Sequence, residues 1–200
     1  MIINQVTPPT VEPVTVQEAK DHMRVTHNDD NTYIGGLIVA ARQHAESYTR
    51  RCFVQSTWDE WFQCFPIHYS FKLSKAPLVS VTGVYYTDYE ETETEMTVTT
   101  DYLVDADTVP GHIVLAYGQA WPTFTPSVKA PVRVRYIAGY PSDGSPADYR
   151  ANIPKTIKQA LLLLVSHWYN QREDGVYGFG LQEIPHGAKA LLTPDRIFTL

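Results

Sequence analysis

Ile153-Pro154-Lys155-Thr156-Ile157-Lys158-Gln159-Ala160-Leu161-Leu162-Leu163-Leu164-Val165-Ser166-His167-Trp168-Tyr169 is the stretch on which the fold turns. Pro154 suits a first helical turn, because its fixed φ is helical and its missing N–H would have no partner there. Ile157, Ala160, Leu161, Leu164, Val165, Trp168 and Tyr169 then recur at helical spacing and form one apolar face. Leu162 and Leu163 extend it, which predicts burial on more than one side. The longest apolar run, Ala160 to Val165, falls far short of the ~20 residues that cross a bilayer. Such a helix must be covered by protein, and the segments around it supply the cover.

Upstream, Thr15-Val16-Gln17-Glu18 has the form of a capping box. With Val16, Ala19, Met23 and His22 as its stripe, a short helix is predicted to run to about Arg24. Asn28-Asp29-Asp30-Asn31 reads as the start of a second helix, its side chains answering the free amides. Ile34, Leu37, Ile38, Ala41, Ala45 and Tyr48 form its face, and Arg50 and Arg51 suit the negative end of its dipole. Residues 1–14, broken by Pro8, Pro9 and Pro13, read as an extended arm. Downstream, the third helix is expected to end near Arg172-Glu173-Asp174-Gly175. Gly175, Gly178, Gly180 and Gly187 mark a flexible segment, a helical turn spans Ala188–Leu192, and Pro194 opens a tail.

From Val54 the period changes from helical to alternating. Trp58, Trp61, Phe62 and Phe65 suggest a long strand. Further strands are predicted at Phe71–Ser74, Val79–Thr87, Tyr102–Asp105, His112–Ala116 and Val132–Ile137, with prolines and glycines at the turns. Glu90 to Glu95 reads as an acidic hairpin tip or loop whose charges keep a sheet edge from pairing. The fold class is therefore α+β: a small α-helical bundle interrupted by a β-rich antiparallel insertion, with a C-terminal tail. Its segments are residues 1–53 (arm and two helices), 54–140 (insertion), 141–175 (loop and third helix) and 176–200 (Gly-rich segment and tail).

Composition narrows the function. A content of 44% hydrophobic and 19% charged residues supports a real core and excludes wholesale disorder. A net charge of −6, without a basic cluster, argues against a chain that grips phosphates. No signal peptide is expected from the first residues, and no membrane partner. Cys52 and Cys64 are too few for a disulfide framework and read as buried thiols. The histidines are scattered, and Asn28–Asn31 lacks the Gly and distal Glu of a calcium loop, so neither metal nor cofactor is expected. Ser166 and His167 are adjacent and point to different helix faces, which excludes a nucleophile–base pair. Gly175 to Gly180 lacks the spacing of a phosphate loop.

The surface is more informative. Thirteen Tyr and four Trp are many for a chain without a cofactor box, and both residues favour subunit interfaces as well as cores. The tail Pro194, Asp195, Arg196, Ile197, Phe198, Thr199 and Leu200 carries apolar residues with no evident core of its own. It reads as an anchor for a partner, the alternative being that it packs on its own domain.

The order of these motifs resembles the head-to-tail connector (adaptor) family of long-tailed bacteriophages and gene transfer agents. The resemblance rests on Pro13 to Lys20, His22-Met23-Arg24, Asp29-Asp30, Leu37-Ile38, Ala40-Ala41-Arg42, Glu46, Thr49, Arg51 and Gln55 to Trp58. It continues through Ala76 to Val81, Pro110 to Ile113, Trp121-Pro122, Ala138-Gly139-Tyr140, Ile153 to Leu163, His167-Trp168-Tyr169, Gln171-Arg172-Glu173 and Leu191 to Arg196. It implies a non-enzymatic virion protein, assembled in the host cytoplasm, that joins about a dozen copies into a ring at the neck. The ring would dock on the portal, often through the C-terminal segment, and present a surface to the next neck or tail protein. DNA would pass through its lumen without sequence-specific binding. Rival readings are another neck protein, a stopper or tail terminator, and a small hydrolase with a triad assembled only in space.

Overall fold

Thr15 opens the first helix as the sequence predicts. Its hydroxyl accepts the Glu18 N–H at 3.1 Å, and Glu18 Oε2 accepts the Thr15 N–H at 2.7 Å. Partial burial works against the Glu18 carboxylate, but the Thr15 donors, with Lys158 and Arg150 nearby, hold its pKa below the ordinary value. These details come from a computed structural model that describes residues 2–143, 148–171 and 186–198. The chain divides into two units, residues 10–54 with 142–200, and residues 1–9 with 55–141.

The first unit is helical: α1 (Val16–Met23), α2 (Asn31–Thr49), α3 (Lys155–Asn170) and α4 (His186–Leu192), then a 3₁₀ turn at Thr193–Asp195. Arg24, at φ 59°, ends α1 and donates its N–H to the carbonyls of Lys20 and Asp21. Ile34, Ile38, Ala41 and Ala45 of α2 are buried where that helix packs with α3, which buries Ile157, Ala160, Leu161, Leu164 and Val165. Leu162 and Leu163 are only half-buried; α4 approaches Leu163, where a Cβ on Gly187 would lie 3.7 Å from it. Asp30 stands at the α2 N-cap position without bonding a helix amide. Its carboxylate instead accepts the Tyr169 hydroxyl of α3, which is why the expected side-chain cap does not form.

The sequence reading missed the ion pairs of this unit. Arg42, only 7% exposed, donates to Glu12 at 2.7 Å and to Glu46 at 2.9 Å. Glu46 Oε1 also accepts the Phe53 N–H at 2.8 Å. The network ties the lead-in to α1 and the exit from α2 onto one helix. Both carboxylates hold the Arg42 pKa up against the burial that would lower it.

The second unit holds two antiparallel sheets. Five strands run in the order β1 (Ile2–Thr7), β2 (Ser56–Phe62), β8 (Val132–Ala138), β4 (Leu78–Thr87) and β5 (Glu93–Met96). Three run in the order β3 (Ser70–Lys72), β7 (His112–Leu115) and β6 (Tyr102–Asp105). Alternation along β8 sorts the faces: Val132, Val134, Tyr136 and Ala138 are buried, while Arg133 and Arg135 point the other way. Arg135 meets Asp59 through two bonds of 2.7 Å, and Arg133 meets Glu93 at 2.8 Å and lies over the Tyr85 ring. On the core face the buried Glu60 accepts the Tyr136 hydroxyl at 2.8 Å, Ser74 Oγ at 2.6 Å and the Ser74 N–H at 3.0 Å. Gly111 leaves room for Leu78, since a Cβ there would come within 2.5 Å of it.

Two segments differ from expectation. Residues 2–7, read as part of an arm, pair with β2 as an edge strand. The second half of the acidic stretch is strand β5, because Arg133 across the sheet gives Glu93 a bidentate partner. Only the tip turns, with Asp88 Oδ1 accepting the N–H groups of Glu90 and Thr92 and Glu91 at φ 61°. Part of the aromatic excess gathers here: Phe65 stacks on Trp121 at 5.0 Å, with Phe71, Tyr86 and Phe124 around them. Cys52 is buried, whereas Cys64 is exposed because it lies just past the end of β2.

Candidate docking segment at the C-terminus

The predicted docking segment begins as a seated chain. Helix α2 ends at Thr49, whose carbonyl has no partner within the helix. The Ile197 N–H donates to that carbonyl at 2.9 Å, so the tail supplies what the helix end lacks. Arg51 Nε donates to the Asp195 carbonyl, and Thr156 Oγ1 of α3 donates to Asp195 Oδ2 at 3.4 Å. Thr193 Oγ1 donates to the Lys189 carbonyl at 2.7 Å, which leaves Tyr48 to donate to Thr193 at 3.0 Å. The Thr193 hydroxyl, which can turn to donate to the phenolate, and the cations Arg196 and Lys189 hold the Tyr48 pKa below the ordinary phenol value.

Pro194 to Ile197 are therefore held by their own unit. The Arg196 guanidinium lies over the Tyr48 ring at 4.9 Å and the Phe198 ring at 5.4 Å, a cation between two aromatics. Among the described residues its buried Nε has no hydrogen-bond acceptor. Phe198 itself is 69% exposed, a large apolar surface for a chain end. Thr199 and Leu200, the last two predicted contact residues, lie outside the described residues, as do the expected end of the third helix at Arg172 to Gly175 and residues 176–185 of the Gly-rich segment. Sequence reasoning singled out the segment as a docking candidate and missed its seat. Tyr48, Thr49, Arg51 and Thr156 lie far from it along the chain, and their only local signal was a helix end rich in arginine.

Among the described residues, no group of three or more His, Cys, Asp or Glu side chains could hold a metal ion, and no helix is long and apolar enough to cross a membrane.

Residues 13–110 match the family model described as Phage gp6-like head-tail connector protein. No curated protein matches the chain. Among solved structures, a chain of the "Neck of empty GTA particle computed with C6 symmetry" aligns at a TM-score of 0.79 and 21% identity, over 100% of this chain and 97% of that chain. A chain of the "Virion of native gene transfer agent (GTA) particle" gives 0.80 and 21% with the same coverage. One from the "Neck of native GTA particle computed with C12 symmetry" gives 0.72 and 22%, again over 100% and 97%. At these identities the likeness establishes a shared fold from end to end. Residues 13–110, from the lead-in to α1 into the strands of the second unit, thus carry the sequence pattern of the Phage gp6-like head-tail connector family.

Proposed function

We propose that this chain is a structural protein of a virion neck, not an enzyme, and that it forms a ring of about a dozen copies between the portal and the next neck or tail protein. The observation that carries the reading is the full-length likeness to chains of gene transfer agent necks, one of them treated with C12 symmetry. The helical unit is read as the family's small bundle and the sheets as its insertion. DNA passes through the lumen of the ring. A net charge of −6 suits such a wall, because like charge keeps a polyanion from sticking.

The tail divides by role in this reading. Pro194 to Ile197 fix the direction in which the chain leaves α2, and Phe198, Thr199 and Leu200 reach the portal. Removing residues 198–200 leaves the seat intact, so it separates docking from folding. The truncated chain is expected to melt as the full chain does and to lose retention on immobilised portal by tenfold or more, an order-of-magnitude figure for losing an aromatic anchor. Undiminished retention would move the portal contact elsewhere on the molecule.

A further inference from the structure

We propose that neighbouring copies in the ring meet head to tail, the acidic hairpin tip of one copy seating on the cationic end of α2 in the next. The inference rests on the ring reading and adds the surface that builds it. Charge is divided unevenly between the units. Residues 1–9 and 55–141 carry ten acidic and five basic side chains, whereas residues 10–54 and 142–200 carry twelve and eleven.

Two exposed places concentrate opposite signs. At the tip between β4 and β5 stand Asp88, Glu90 and Glu91, with Lys129 as the nearby cation. The turn is rigid: Asp88 caps it, the Tyr89 N–H bonds the Thr125 carbonyl at 3.0 Å, and Ser127 Oγ donates to Glu91 at 2.9 Å. Tyr89 and Val128 project beside the carboxylates, 65% and 97% exposed. At the end of α2 stand Arg50, Arg51, Lys189 and Arg196, with the acidic Asp195 beside them. None of Arg51, Lys189 and Arg196 forms an ion pair with a carboxylate among the described residues. Beside them lies the half-buried Tyr48 ring, beneath the Arg196 guanidinium.

Each place thus offers charge and an apolar surface, and the charges are complementary. Tip against tip, or end against end, would set like charges together. The permitted contact joins unlike surfaces of two copies, which is the heterologous kind that closes into a cyclic ring. Aromatic and Arg side chains are also the types that dominate interface energetics.

The test is charge exchange. Lys189→Glu with Arg196→Glu reverses the end, and Glu90→Lys with Glu91→Lys reverses the tip. Lys189→Glu alone serves as a second end variant, since Lys189 is exposed and the change leaves the Arg196 stack in place. Assembly is read as mass by photometry, over a concentration series, with and without the cognate portal, on chains that circular dichroism shows to be folded. Each reversed variant alone should need at least tenfold more protein to form rings, and the wild-type ring should weaken with added salt. Mixing the two double variants should restore rings, because tip and end then match in alternation. Rings from either variant at wild-type concentration, or loss in both without rescue on mixing, would overturn this interface while leaving the ring reading in place. A wild-type chain that forms no ring, alone or with the portal, would remove the ring reading itself.

Discussion

The two units bury charge in different ways. In the helical unit, one cation serves two anions: Arg42 bridges Glu12 and Glu46, and Glu46 also accepts a backbone amide. In the sheet unit the fully buried Glu60 has no cation among its bonded partners and is satisfied by neutral donors, Tyr136, Ser74 Oγ and the Ser74 N–H. Removing Arg42 would leave two carboxylates without their counterion, whereas neutralising Glu60 leaves most of its geometry in place. The helical unit should therefore be the more fragile to a single polar change. The difference also tracks sequence distance: Arg42 and Glu46 are one helical turn apart, while Glu60 and Tyr136 meet only because β2 and β8 pair.

Arg42→Met is the change expected to break this contrast most strongly. Loss of one partner from a buried ion network costs about 3–5 kcal/mol, readable as a fall in urea midpoint. If Arg42→Met costs no more than Glu60→Gln, the proposed contrast is wrong. Glu60→Gln comes next, at about 1–3 kcal/mol, because one amide group cannot accept all three donors. Thr15→Ala should cost about 1 kcal/mol through loss of the α1 cap.

That third change has a pH signature. The folded Glu18 pKa lies below its unfolded value, so the box contributes fully above the unfolded value and is lost as pH falls through the folded pKa. The Thr15→Ala difference should accordingly be largest near neutral pH and shrink in acid titration of the melting temperature. Smallest is Glu93→Ala, at about 0.5 kcal/mol or less, since its pair with Arg133 lies at a solvated edge.

These contrasts also explain what could be read from residues alone. The capping box, the buried face of α2 and the apolar run of α3 are local patterns, and each helix stands where its period placed it. Strand β6 likewise spans Tyr102–Asp105 as read. The edge strand β1 was missed because its partner lies far along the chain, Ile2 pairing with Trp61, whereas β5 pairs with the neighbouring β4 and was hidden by its run of glutamates, which read as a loop. The Asp30 cap failed for the reason that hid β1, a tyrosine on another helix taking its carboxylate. At the candidate site the tail residues were visible as apolar positions without a core. Their seat was not, since the Thr49 carbonyl becomes an acceptor only once α2 has an end and α4 has brought the chain back to it.

The most direct test of the account is the mass of the purified protein, alone and mixed with the cognate portal, measured by light scattering on a size-exclusion column. Co-elution with the portal at the mass of a complete connector ring is the predicted result. A chain that stays monomeric and elutes apart from the portal at every concentration would contradict it.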